Sequence, residues 1–349
     1  MAPRLADILE EGIRRHLHLP GASVLAPLPQ QLDGFADAFS AGIECRLGTL
    51  DGAVDFGWTQ HRRDFGIPQS LRGYRSWDAV SEFTRLCRAG AADLNPVEFL
   101  YFEVDQSTQG LGLEPSVFFG RIHGEISQTL RLYRTLAKLL NRPQDIAHEA
   151  AFRRLLEAMP AASIAVCLGY MLSRPDAPLR LVLSEFNTQE GLPAYLEAIG
   201  WPGDLGRVKA TMAAAPLLST CFNVGPAFDF NGSVLPRLGI EFTFKRYADN
   251  TGLLKAATDE LVAIGACLPQ WQETLLAWGD GSASSTSRLG YFLGAGDRYK
   301  RWVSHFKLTI DGGAIAAKAY LECFPHEMLV ASRWQNTSAK RSIPNEVAP

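Results

Sequence analysis

The most regular stretch of the chain runs from residue 302 to 324, where two alternating segments flank Asp311-Gly312-Gly313. Alternation of period two puts His305, Lys307 and Thr309 on one face of the first segment and Phe306, Leu308 and Ile310 on the other. On the second, Lys318, Tyr320 and Glu322 oppose Ala317, Ala319 and Leu321. This predicts a β-hairpin with one oily and one charged face. The same form recurs along the chain. Residues 42–47 and 53–60 surround Asp51-Gly52 and set Ile43, Cys45, Leu47, Val54, Phe56 and Trp58 against Glu44, Arg46, Asp55 and Thr59. In residues 97–105, Phe99, Tyr101, Glu103 and Asp105 alternate with Leu100, Phe102 and Val104, and 115–122 supplies a partner strand. A third pair is 163–172 with 179–184, joined by the polar link 173–178, with Arg180 opposite Leu179, Leu181 and Leu183. The fourth is 218–224 with 237–245, separated by a Gly/Pro/Asn-bearing loop, and there Glu241, Thr243 and Lys245 alternate with Ile240, Phe242 and Phe244.

Between the pairs the period changes to that of a helix. Leu5, Ile8, Leu9 and Ile13 predict an opening amphipathic helix before Leu19-Pro20-Gly21, followed by a short helix from Leu32 to Phe39. Ser76 is expected to cap a helix reaching Arg88. Further helices are expected at 126–140, 146–159, 191–199 (ended by Gly200), 205–214, 253–266 and 270–278. The segments 61–74 and 280–300 read as loops, and the polar stretch after Trp334 as disordered. The resulting organisation is an N-terminal helical segment (1–40), a single domain (41–333) and a tail (334–349).

Composition narrows the function classes. The 349 residues are 47% hydrophobic and 20% charged, enough to bury a large core, and the net charge of −3 provides no basic field for nucleic acid. Cysteines 45, 87, 167, 221, 267 and 323 form no Cys-x-x-Cys pair, so neither a zinc site nor a disulfide framework is indicated, and a reducing cytoplasm is the expected location. No apolar stretch has the length to span a bilayer, and the first residues lack the apolar core of a secretory signal, so no membrane association is expected. No Asp-Asp-x-x-Asp, phosphate loop, dinucleotide fingerprint or Gly-x-Ser-x-Gly is present, and His305 has no second His or Cys at ligand spacing.

Five hairpins separated by helices predict an α/β fold in which a ten-stranded antiparallel barrel turns its apolar face to an outer ring of helices. The other face would then line a lumen carrying Glu44, Arg46, Asp55, Tyr101, Glu103, Asp105, Arg180, Glu241, Lys245, His305, Lys307, Lys318, Tyr320 and Glu322. An open sheet is the alternative; on it the same residues would be solvated surface, and the chain would be a modifying enzyme of unrelated chemistry.

The order of elements over residues 40–330 resembles that of the aromatic prenyltransferases built from α-β-β-α (ABBA) units, whose ten strands enclose a solvent-filled chamber. Lys318-Ala319-Tyr320 carries the most specific local echo. In the fungal indole members, Lys-x-Tyr triplets supply a cation for the prenyl diphosphate and a phenol that shields the allylic cation. Arg180-Leu181-Val182 departs from that pattern by keeping the cation and lacking the tyrosine, which suggests a different acceptor, a longer prenyl chain or a different chemistry. The resemblance also extends to the cyanobactin peptide prenyltransferases. It implies transfer of an isoprenoid from an allylic diphosphate to an indole, phenol or peptide side chain, with no tightly bound cofactor and no magnesium site indicated.

Such chemistry needs cations for the leaving group, aromatic faces for the carbocation and a carboxylate for the acceptor's proton. The candidates are Arg46, Arg180, Lys245, Lys307 and Lys318 for the diphosphate, Tyr101 and Tyr320 for the shield, and Glu103 and Glu241 as bases. Lys and Glu on facing strands also form ordinary cross-strand ion pairs. A non-catalytic barrel holding a peptide or apolar small molecule would need no cationic clamp.

Overall fold

The computed structural model describes residues 5–14, 25, 32, 38–51, 53–61, 66–68, 71–94, 97–107, 110–111, 114–120, 125–141, 146–161, 163–174, 178–186, 191–219, 222–229, 233–244, 250–280 and 299–325. Its strands are β1 (Ala38–Arg46), β2 (Val54–His61), β3 (Phe99–Val104), β4 (Gln106–Ser107), β5 (Gly110–Leu111), β6 (Ser116–Gly120), β7 (Ile164–Tyr170), β8 (Leu179–Phe186), β9 (Phe222–Phe228), β10 (Val234–Thr243), β11 (Tyr299–Asp311) and β12 (Ala314–Pro325). Ten of them close into a barrel in the order β1-β12-β11-β10-β9-β8-β7-β6-β3-β2, while β4 and β5 form a small separate ribbon. All ten pairings are antiparallel, and β1 seals the ring by pairing with both β2 and β12. Closure removes the open-sheet alternative.

Helix α1 (Leu5–Asp7, continued by a π-helical Ile8–Ile13) precedes the first hairpin, and α2 (Arg75–Arg88), α3 (Ile126–Leu139), α4 (Ile146–Glu157), α5 (Gly191–Ala198), α6 (Leu205–Ala214), α7 (Thr251–Ala263) and α8 (Gln270–Asp280) lie between the hairpins in sequence. The apolar outer face of the barrel packs on them. Trp58 of β2 stacks on Trp77 of α2 with centroids 6.2 Å apart, and Phe119 of β6 meets Phe83 of α2 edge-on at 4.8 Å. Phe152 of α4 stacks on Tyr133 of α3 at 4.5 Å and approaches Phe228 of β9 at 5.8 Å. Such aromatic bodies each bury a large apolar area, and this fixes which face of each strand turns outward. None of the described helices is long and apolar enough to cross a membrane.

Three sequence expectations are corrected. The helix expected at 32–39 is overturned at its last two positions, where β1 begins at Ala38; residues 33–37 of it lie outside the described set. Ser76 sits inside α2, whose N-cap is Tyr74. The fourth hairpin is displaced: Leu217–Ser219 is a 3-10 turn, and β9 instead includes Gly225 and Pro226, which read as turn formers. Pro226 is tolerated because the ladder to β8 skips it. Arg180 pairs with Ala227 and Leu183 with Val224, while Pro226, lacking an N–H, makes no pairing between them.

Because each hairpin is an up-and-down pair, all five connections between paired strands lie at one end of the barrel. Asp55, Asp105, Ser116, Arg180, Arg237 and Asp311 stand near that end. A register shift between Val303 and His305 turns Trp302 onto the same face as Glu322, its cross-strand partner, so both halves of β11 present residues to the lumen.

Candidate active site

Lys307 and Lys318 face each other directly across β11 and β12, yet each is drawn to a carboxylate on its other side. Lys307 Nζ lies 2.6 Å from Glu241 Oε1. Lys318 is ion-paired with Glu44 and lies 3.6 Å from Asp55. Asp55 also accepts from Arg46 at 3.3 Å. Burial favours the neutral form of Glu241, but Lys307, with His305 and Arg180, outweighs it and holds the carboxyl at about 2. These cations are neutralised in place. A carboxylate held so far down accepts a proton weakly, so Glu241 serves as the partner of Lys307.

Glu103 is placed differently. Burial and the neighbouring Asp105 push its carboxyl up to about 7, against the pull of Arg174 and Lys307. Asp105 stays ionised, since Arg174 and the Ser173 hydroxyl outweigh its own burial. Arg174 Nη2 reaches Glu103 at 3.4 Å and Asp105 at 3.3 Å, and Ser173 bridges Asp105 to Ser116, whose hydroxyl is 2.7 Å away. Ser173 and Arg174 lie in the link between β7 and β8, where the sequence offered only a polar connection. A carboxyl poised near neutrality inside a lumen is suited to exchange protons.

Two other guanidinium groups have no such company. Arg180 is only 6% exposed, and its Nε has no hydrogen-bond partner among the described residues. Arg237, nearby at the start of β10, also has an Nε without one. Burial presses both guanidinium groups down; Arg174 adds to this for Arg180, and Arg180 and Arg174 add to it for Arg237. One buried and one half-buried cation that repel each other and leave donors unmatched have the chemistry to suit an anion. Arg237 is in phase with Glu241 and Thr243, so the alternation that puts those two on the inner face puts it there as well, a signal the candidate set above leaves out.

The aromatic candidates lie at mid-barrel. Tyr320 stacks on His305 at 3.9 Å with 16° between the rings, and Lys307 Nζ is 5.7 Å from its centroid. Burial holds the imidazole down at about 4, so it is neutral at pH 7 and covers one face of the phenol. Tyr101 packs on Phe118 at 5.7 Å, and its hydroxyl lies over Gly57, where a Cβ would collide with it. Burial raises both phenols, and neighbouring carboxylates add to the effect. Thus Arg46, Tyr101, Glu103, Arg180, Glu241, Lys307, Lys318 and Tyr320 all share the inner face, whereas Lys245 lies outside the described residues. No metal-binding group of three His, Cys, Asp or Glu occurs among the described residues.

No family model matches the chain, and no curated protein matches it by sequence. Among solved structures it is similar to 5-dimethylallyltryptophan synthase from Streptomyces coelicolor, with a TM-score of 0.46 and 14% identity over 81% of this chain and 79% of that one. It is likewise similar to 6-dimethylallyltryptophan synthase from Micromonospora olivasterospora in complex with DMASPP and Trp, at 0.48 and 13% over 80% and 81%. AnaPT from Neosartorya fischeri gives 0.47 and 11% over 82% and 78%. The likeness is one of fold.

Proposed function

We propose that the chain is a prenyltransferase that moves an isoprenoid from an allylic diphosphate to an electron-rich aromatic group, on a small molecule or a peptide. The observation that carries this reading is the pair Arg180, buried, and Arg237, half-buried, each with an Nε unmatched among the described residues, beside a carboxyl poised near neutrality. In this reading the diphosphate sits on those two residues. The allylic C–O bond breaks with its electron pair leaving on the diphosphate, and the guanidinium groups stabilise that developing charge. The carbocation is sheltered from water by the Tyr320 and Tyr101 rings. An aromatic carbon of the acceptor then forms the new C–C bond, and ionised Glu103 takes the proton that this carbon loses. Lys307, Lys318 and Arg46 tune the field while remaining on their carboxylates.

Titration calorimetry with inorganic pyrophosphate and with allylic thiolodiphosphates, with and without magnesium, tests this on wild type and Arg180→Gln. Binding that is lost in the variant supports the reading, and turnover with an aromatic acceptor panel completes it. Binding that Arg180→Gln leaves intact would sink it. Binding without turnover across the panel favours the non-catalytic barrel, whose support is that both mid-barrel lysines are already committed to carboxylates.

A further inference from the structure

Among the described residues six glycines stand on the inner face of the barrel, and five have their space used by a neighbour. A Cβ at Gly42 would meet the β12 backbone, at Gly57 the Tyr101 phenol, at Gly120 the Phe99 ring and at Gly169 the Phe118 ring. Gly239 accommodates the stem of Lys307, whose Cε would lie 3.1 Å from an added Cβ. Gly225 differs. A Cβ there would find nothing closer than the Gly239 carbonyl oxygen at 3.8 Å among the described residues.

The backbone does not require glycine at this place. Gly225 and Gly239 are absent from the positive-φ positions, and their pairing lies in a regular stretch of register from Leu238↔Pro226 to Glu241↔Asn223. Glycine inside a strand weakens it, so its use in a regular central strand points to something approaching closely. The frame of the hollow is specific. Arg180 pairs with Ala227, two residues along β9, and the same register sets Val182 opposite Gly225. Val182 occupies the place in Arg180-Leu181-Val182 that Tyr320 holds in Lys318-Ala319-Tyr320, which widens the space further. Arg237 lies two residues before Gly239, and Glu241 and Lys307 border the other side.

We propose that the hollow over Gly225, floored by Gly239 and walled by Val182, holds the carbon chain attached to the anion on Arg180 and Arg237, and that Gly225 and Val182 set the chain length accepted. This rests on the diphosphate reading above. It assigns the ligand class as a diphosphate carrying a chain longer than one isoprene unit, because glycine at 225 and valine where the other triplet has tyrosine leave side-chain space open beside Arg180.

The test measures binding of inorganic pyrophosphate and of thiolodiphosphates with five, ten and fifteen carbons to wild type, Gly225→Val and Val182→Ala, with melting curves recorded for each. Wild type is expected to prefer the longer chains. Gly225→Val should weaken the ten- and fifteen-carbon probes by more than about tenfold relative to the five-carbon probe, with pyrophosphate unchanged. Val182→Ala, which only removes bulk, should shift preference toward fifteen carbons and guards against a valine that merely prevents folding. Variants that leave the order of chain lengths unchanged while pyrophosphate still binds would overturn the hollow's role alone, and a lowered melting point without reordering would assign the glycines to barrel curvature. Absence of pyrophosphate binding by folded wild type would instead remove the diphosphate reading, and this inference with it.

Discussion

Lys307 and Lys318 are direct cross-strand partners carrying the same charge, and the repulsion between them is relieved by Glu241 on one flank and Glu44 with Asp55 on the other. Like charges placed opposite one another destabilise a sheet, so both carboxylate partners are needed for β11 and β12 to pair here. The arrangement forms two neutral islands, while Arg180 and Arg237 on the same inner face each keep an Nε unmatched among the described residues.

Removing Lys318 should therefore cost stability more than affinity. Lys318→Met leaves Glu44 and Asp55, 3% and 1% exposed as side chains, without their ammonium. A loss of about 3 to 5 kcal/mol is expected, the usual cost of breaking a buried pair. Denaturant unfolding checks it, and adding Glu44→Gln should recover part of the loss.

Arg237→Gln should act with opposite sign in the empty and anion-bound proteins. Without ligand, relief of repulsion with Arg180 and Arg174 should leave the melting point unchanged or higher. With pyrophosphate present, the stabilisation that ligand binding gives should shrink. A melting series over pyrophosphate concentration separates the two effects.

Glu103 should be visible in pH profiles. If its carboxylate takes the acceptor proton, kcat/KM rises with pH through about 7, and Glu103→Gln removes that limb along with most activity. Stability runs the other way. The folded carboxyl binds its proton more tightly than the unfolded one, so this contribution is present below the ordinary carboxylate range and is lost as pH rises toward about 7. Glu103→Gln should flatten that decline.

His305 contributes a slope of the opposite kind. Its folded value, about 4, lies below the usual 6.5, so its contribution is complete above 6.5 and is lost as pH falls toward 4. His305→Phe, which keeps a ring on Tyr320, should reduce acid sensitivity in that window, measured by unfolding at stepped pH.

Alternation alone made the barrel legible, because in β1, β2, β3 and β12 a single face carries nearly all the charge. It failed where the period breaks. The register shift at Val303 and His305 placed Trp302 on the inner face, and Gly225-Pro226 looked like a turn although their strand is held by β8 and β10 around them. The inner-face candidates were readable as a set, but their partners were not. Lys318 meets Glu44 only through β1–β12 closure, and Arg174 reaches Glu103 from a link whose local sequence signals nothing beyond polarity. Which cation is left over depends on pairings between distant segments, and no window along the chain contains both members.

The seam between β1 and β12 joins residues such as Ile43 and Leu321 that lie at opposite ends of the sequence. Loop closure on this scale is entropically slow, and the hairpin that completes the ring also delivers His305, Lys307, Lys318 and Tyr320. Emergence of the last strand pair during synthesis is thus the event that creates the chamber. Until then the chain has a sheet with two raw edges and lacks Lys307 and Lys318 from its lining, so a product shortened by only a few dozen residues loses the closed chamber as a whole rather than in proportion to its length.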